Sequence, residues 1–111
     1  MIPLGSPDIR EEDIGKVVEV LRSGMLVQGQ KVAELERNVS NYLSVSHVLA
    51  ASSGTATLHL ALLASGIGHG DEVIVPSFSY IATVNVVEII GARPVFVDID
   101  IKTYCIDIKK I

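Results

Sequence analysis

Ala50-Ala51-Ser52-Ser53-Gly54-Thr55-Ala56-Thr57-Leu58-His59 decides how this chain is read. The segment passes from a short apolar run into a small, hydroxyl-rich turn and then into the first turn of a helix. The first N–H groups of a helix have no intrahelical partner, and the helix dipole concentrates partial positive charge there. Small residues let backbone close around an anion, and Ser and Thr hydroxyls add donors. An ordinary helix cap also selects Ser or Thr. Two serines, a glycine and a threonine in succession after an apolar strand favour a ligand, because parallel sheets bind ligands beyond the carboxyl ends of their strands.

Outward from this turn the pattern is regular. Val48-Leu49-Ala50-Ala51 predicts a strand, and Thr55 to Ser65 a helix apolar on nearly every side, hence buried. Gly66-Ile67-Gly68-His69-Gly70-Asp71 breaks that helix. Glu72-Val73-Ile74-Val75 predicts the next strand, ended by Pro76, and Ser79 to Ile90 a helix closed by Gly91. Pro94-Val95-Phe96-Val97 predicts a third strand. Apolar strands alternating with helices indicate a parallel sheet covered by helices, in an α/β fold.

Two helices precede this core. Pro7-Asp8-Ile9-Arg10-Glu11 reads as a helix start with Asp8 as cap and Glu11 three residues on. Ile14, Val17, Val18 and Leu21 then recur at helical spacing up to Ser23-Gly24. Met25 to Gly29 forms a loop. A second helix from about Gln30 to Leu43 turns Val32, Leu35, Val39, Tyr42 and Leu43 inward. The expected organisation is an N-terminal helical arm over 1–45 and an α/β segment over 46–111.

Composition narrows the classes. The 111 residues are 49% hydrophobic, rich for a chain whose surface-to-volume ratio is high, which points to apolar surface covered by something further. A formal net charge of -4, with no basic cluster beyond Lys109-Lys110, argues against nucleic acid as a partner. The one cysteine, Cys105, has no internal disulfide partner, and no Cys/His spacing suggests a metal. No apolar run reaches membrane-spanning length and Met1 to Gly5 lacks a signal-peptide pattern, so a cytoplasmic location is expected.

Other candidates weigh less. Gly66-Ile67-Gly68-His69-Gly70 has the glycines of a dinucleotide fingerprint but follows a helix and opens a strand, the reverse of what that fingerprint needs. A Rossmann-type nucleotide binder therefore ranks last. Pro76-Ser77-Phe78-Ser79-Tyr80 is a second turn at a strand's carboxyl end, and either ring could cover the flat face of a planar ligand. His59, on a buried helix, reads as a core histidine. Asp98 and Asp100 read as solvated turn acids, and Glu36 as a residue of a solvated helix side.

Taken together, these segments resemble the N-terminal part of the DegT/StrS (DegT/DnrJ/EryC/StrS) family of pyridoxal-phosphate-dependent nucleotide-sugar aminotransferases. The resemblance rests on Ile2-Pro3-Leu4, Leu21-Arg22-Ser23-Gly24 with Gln28-Gly29, and Ser53-Gly54-Thr55-Ala56 with Leu58-His59-Leu60-Ala61-Leu62. It continues through Gly66-Ile67-Gly68, Gly70 to Phe78, Gly91-Ala92 and Pro94 to Asp100. It implies the start of the large domain of the aspartate-aminotransferase-like (type I) fold, and a homodimer. It implies pyridoxal 5′-phosphate held by Ser53, Gly54, Thr55 and Ala56, with Tyr80 stacked on its ring. The implied reaction transfers an amino group, from glutamate as the usual donor, to a keto sugar on a nucleotide. The family's Schiff-base lysine lies further along a longer chain, and Lys16, Lys31, Lys102, Lys109 and Lys110 lack apolar surroundings. No catalytic residue is therefore expected here, and a fragment inactive alone is. A sugar dehydratase of the same family, carrying histidine for the lysine, and a non-catalytic cofactor-binding module remain open alternatives. The Met25–Gly29 loop reaches the substrate by resemblance only.

Overall fold

The computed structural model describes residues 5–111; the Ile2-Pro3-Leu4 part of the resemblance lies outside them. The chain divides into two compact units, Met1–Ala50 and Ala51–Ile111.

The first unit carries α1 (Glu11–Ser23) and α2 (Gln30–Leu43). Arg10, not Asp8, is the N-cap of α1: it is the last extended residue, at φ -103° and ψ 161°. Asp8 is therefore too early to reach the amides of the first turn. Its carboxylate instead pairs with the Arg10 guanidinium at 3.2 Å, while the Arg10 N–H donates to Asp13 Oδ2 at 3.1 Å. Glu11, Glu12 and Asp13 sit in the first turn and Arg22 in the last, matching the helix dipole. Gly24, at φ 71°, closes α1 in a conformation that costs glycine little. α2 keeps its expected bounds. Its inward stripe is only partly covered: Val32 and Val39 are half-buried, whereas Leu35, Tyr42 and Leu43 are exposed.

After α2, Val48 to Ala51 does not form the expected strand. An extended segment becomes a strand only when a neighbouring backbone satisfies it, and among the described residues none pairs with this one. The Ala50 N–H instead donates to Glu36 Oε1 at 2.9 Å. The half-buried Glu36 carboxylate, rather than lying on a solvated helix side, thus does the work of a ladder carbonyl.

The second unit runs α3 (Gly54–Ala64), β1 (Glu72–Pro76), α4 (Ala82–Ile89), β2 (Arg93–Val97) and a 3-10 turn, Ile108–Lys110. β1 and β2 pair in parallel from Glu72↔Arg93 to Pro76↔Val97, with α4 as the crossover. The core is small. Val75, Val86, Val87 and Ala92 form it, with Leu62, Ile67, Val73, Val84 and Ile90 packed against it. Gly91, at φ 79°, turns α4 into β2, and a Cβ there would meet the His69 side chain at 3.7 Å.

Two helix expectations change. α4 begins at Ala82 rather than Ser79, because residues 77–80 form an irregular turn in which Ser79 Oγ bonds Thr83 Oγ1 at 2.9 Å. α3 is not buried: Leu58, Leu60 and Leu63 stay about half exposed, and His59 is only half-buried. α3 packs chiefly on α4, so much of its apolar surface has no cover among the described residues.

Candidate functional site

The candidate cradle is the start of α3. Ser53 is its N-cap, extended at φ -162°, and its Oγ accepts the Ala56 N–H at 3.1 Å. Thr57 N–H returns to the Ser53 carbonyl at 3.1 Å, and Thr57 Oγ1 donates to the Gly54 carbonyl at 2.7 Å. Among the described residues, the Gly54 and Thr55 N–H groups have no protein acceptor. They are two of the donors every helix leaves over at its start. Replacing Ser53 by alanine removes the cap and costs about 1 kcal/mol, to be read as a lower urea midpoint with an unchanged slope; an unaltered midpoint would show that the cap is not used.

Gly54 is informative for what it lacks. It does not adopt a positive φ, and a Cβ built there meets nothing within 4 Å. Neither its backbone conformation nor packing among the described residues calls for glycine. The space a side chain would take is open beside two free amides, and Ser53, Gly54 and Thr55 are exposed. That is a cradle a Cβ would fill, and it fits a phosphate approaching along the helix axis.

The aromatic turn follows β1. Parallel pairing brings Pro76 and Val97 to one edge of the sheet, and Ser77 N–H donates to the Val97 carbonyl at 2.8 Å. Phe78 and Tyr80 are both exposed, but differently employed. Phe78 packs against Tyr104, with ring centroids 5.9 Å apart and planes tilted by 43°. Tyr80 is 78% exposed, and among the described residues its ring has no aromatic partner. The residues alone leave the choice between the two rings open and the family resemblance selects Tyr80; neither signals Tyr104, which sits at φ 59°.

The loop after β2 spends its acids locally. Asp100 Oδ1 accepts from the Lys102 N–H at 2.7 Å and the Thr103 N–H at 3.3 Å. Asp98 Oδ1 accepts from Ile99 N–H, and Asp98 Oδ2 from Lys110 Nζ at 2.7 Å. The Lys110 hydrogen bond, then the Ile99 amide and the lysine's charge, hold the Asp98 carboxyl below its ordinary pKa. The bond to Asp98 and the carboxylate's charge, with a smaller contribution from Asp107, raise Lys110. A depressed carboxylate contributes stability above its unfolded pKa and loses it as pH falls through the folded value. A raised lysine contributes below its unfolded pKa and loses it as pH rises through the folded value. The pair therefore operates across the whole range between, neutrality included. In Lys110→Met the Asp98 pKa should climb part of the way back, with the Ile99 bond remaining; carboxyl NMR titration reads it, and no climb would exclude the lysine as cause.

Lys16, Lys31, Lys102, Lys109 and Lys110 are all exposed. None is enclosed in the kind of apolar pocket in which a lysine serves as a nucleophile. Among the described residues no group of three or more His, Cys, Asp or Glu side chains is arranged to hold a metal.

A parallel βαβ unit preceded by a helix with a small-residue, hydroxyl-bearing start defines an α/β protein. More particularly, the chain belongs to the DegT/DnrJ/EryC1/StrS aminotransferase family, whose pattern it matches over residues 7–111. It is 46% identical over 110 residues to UDP-4-amino-4-deoxy-L-arabinose–oxoglutarate aminotransferase of Shewanella sediminis, covering 99% of this chain and 28% of that protein. A Streptococcus pneumoniae protein assigned as a sugar aminotransferase, in its PMP form, superposes with a TM-score of 0.93 at 43% identity, over 98% of this chain and 28% of its own. GDP-4-keto-6-deoxy-D-mannose-3-dehydratase of E. coli, with hydrated PLP bound, superposes at 0.88 and 31% identity, over 96% and 29%. The chain thus spans little more than a quarter of the length of these relatives.

Proposed function

We propose that Ser53, Gly54, Thr55 and Ala56 hold the phosphate of pyridoxal 5′-phosphate and that Tyr80 covers its ring. In this reading the chain is the first part of the large domain of an aminotransferase acting on a keto sugar carried by a nucleotide. The observation that carries it is the start of α3, with two amides unpartnered among the described residues beside a glycine that none of those residues requires.

The donors divide the work. Gly54 and Thr55 N–H groups point charge-complementary dipoles at a phosphate. Ser53 Oγ accepts the Ala56 N–H and keeps its own hydrogen free to donate. The Thr55 hydroxyl adds a further donor at the exposed rim. Tyr80 offers an exposed aromatic face to a planar ring. When bound, the cofactor supplies an electron sink for amino-group transfer.

Transamination is favoured over dehydration by the closer identity to the aminotransferase relatives, 46% and 43% against 31% for the dehydratase. Glutamate as donor is supported by the Shewanella relative, named for oxoglutarate, the keto acid glutamate becomes on losing its amine. The arm over 1–45, the incomplete domain over 46–111, a homodimer and a cytoplasmic location belong to the same proposal and rest on the resemblance. So does the expectation that the Schiff-base lysine is not among the lysines of this chain, which is supported by their exposure.

The test is a titration of the 15N-labelled chain with pyridoxamine 5′-phosphate, which has no aldehyde to react with surface lysines. Saturable shifts at the Gly54, Thr55 and Ala56 amides and at the Tyr80 ring are expected. Shifts confined to other residues would sink the reading.

A further inference from the structure

The Phe78–Tyr104 contact divides the aromatic turn into an anchored ring and a free one. Tyr104 lies at φ 59°, a left-handed conformation uncommon for any residue but glycine, asparagine or aspartate. The chain around it holds it there. Tyr104 N–H donates to the Asp100 carbonyl at 2.8 Å, and Asp100 N–H to the Cys105 carbonyl at 2.9 Å. Asp100 Oδ1 gathers the Lys102 and Thr103 amides, and Ile99 and Ile106 form an antiparallel bridge. The result is a closed loop, rooted on β2, that lifts the Tyr104 ring onto Phe78.

The contact does not serve the core. Tyr104 is 60% exposed and Phe78 67% exposed, and neither belongs to the buried cluster around Val87. Strained backbone persists where surrounding structure over-determines it, and such outliers gather at functional sites. Here the strained residue grips the segment that follows the carboxyl end of β1, two residues before Tyr80. Ser79, between the two rings, is itself tied to Thr83 at the start of α4. The turn is thus held at Phe78 by Tyr104 and at Ser79 by α4, and the next side chain, Tyr80, is left uncommitted.

We propose that Tyr104 is a positioning residue: by packing on Phe78 it fixes the Ser77–Tyr80 turn, so that Tyr80 is presented in advance to the flat face of a planar, phosphorylated ligand. The inference rests on the proposed cofactor reading and adds to it a residue that touches neither phosphate nor ring. Preorganisation of this kind lowers the cost of ordering a loop on binding. Its effect falls on the ring end of the ligand, while the start of α3 reads the phosphate end separately.

The experiment compares two probes on the full 111-residue chain, pyridoxamine 5′-phosphate and inorganic phosphate, both followed by amide shifts. Tyr104→Asn deletes the ring but keeps a residue that tolerates positive φ, and Phe78→Leu breaks the same contact from the other side. Each should weaken pyridoxamine 5′-phosphate by about three- to tenfold, the range that aromatic pairs are worth, and leave inorganic phosphate unchanged. Tyr104→Phe, which keeps the ring, should restore wild-type binding. Equal affinity for pyridoxamine 5′-phosphate in all variants, or a parallel loss for both probes, would overturn the proposal; the parallel loss would mark the contact as merely structural. If neither probe moves the Gly54 and Thr55 amides of the unmodified chain, it is the cofactor reading itself that fails.

Discussion

Val87→Asp should unfold the Ala51–Ile111 unit. Val87 is 1% exposed and is the most deeply buried side chain of a core of only a few residues. Removing a fully buried valine forfeits about 1.5–3 kcal/mol of burial. Leaving an uncompensated charge in its place adds several kcal/mol, on the order of 3–5 when no partner is available. Domains of this size are stable by roughly 0.05–0.15 kcal/mol per residue, so a unit of some sixty residues has about 3–9 kcal/mol to lose. The substitution consumes most or all of it. The control lies two residues away on α4: Ile89 is 65% exposed, and Ile89→Asp introduces the same charge with an effect within about 0.5 kcal/mol. Circular dichroism and amide dispersion of the two variants decide the matter. A folded Val87→Asp would mean that the unit's stability does not depend on this core.

Gly54→Glu should weaken binding of pyridoxamine 5′-phosphate at least tenfold while leaving the fold intact. The two effects separate because helix and ligand make opposite demands on the same position. For α3, a glutamate in the first turn is favourable by about 0.3–1 kcal/mol through the dipole. It meets no steric objection, since a Cβ at Gly54 has no atom within 4 Å. For an anion in the cradle, the same side chain fills the approach and sets a negative charge beside it. Two like charges about 4 Å apart repel by roughly 4 kcal/mol at an effective dielectric of about 20. Solvent at this exposed site reduces that, and a loss of at least tenfold in affinity, about 1.4 kcal/mol, remains. Gly54→Ala, which fills the space without charge, should fall between. Titration with pyridoxamine 5′-phosphate, alongside thermal unfolding, checks both halves. Retained binding in Gly54→Glu would place the anion elsewhere.

Both predictions concern features of very different legibility. The cradle was plain in the sequence because its parts are contiguous: Ser53, Gly54, Thr55 and Ala56 carry their chemistry in four successive residues at a helix start. The bounds of α2 and the positions of β1 and β2 were equally plain, since periodicity and bounding glycines are local signals. The β1–β2 register could not be read locally, but apolar strands joined by a helix allowed the parallel pairing to be expected.

Where structure departs from local sequence preference, the deciding partner is distant or the helix start is shifted. Val48 to Ala51 has the composition of a strand, but composition does not supply a ladder neighbour, and Glu36 satisfies Ala50 instead. The apolar sequence of α3 predicted burial, yet burial depends on what is packed around a helix rather than on what it offers. Asp8 has a capping side chain, but Arg10 is where the backbone turns helical.

The sequence by itself determined the α/β class and the family, and it located the helix start on which the proposed anion cradle rests, because each is written in short local runs. Only the tertiary structure decided that Phe78 is anchored by Tyr104 and Tyr80 left free, and that Glu36 holds Ala50. Those facts join residues 26 and 14 positions apart, and contacts over such separations arise from how the chain closes on itself, not from the preferences of any one segment.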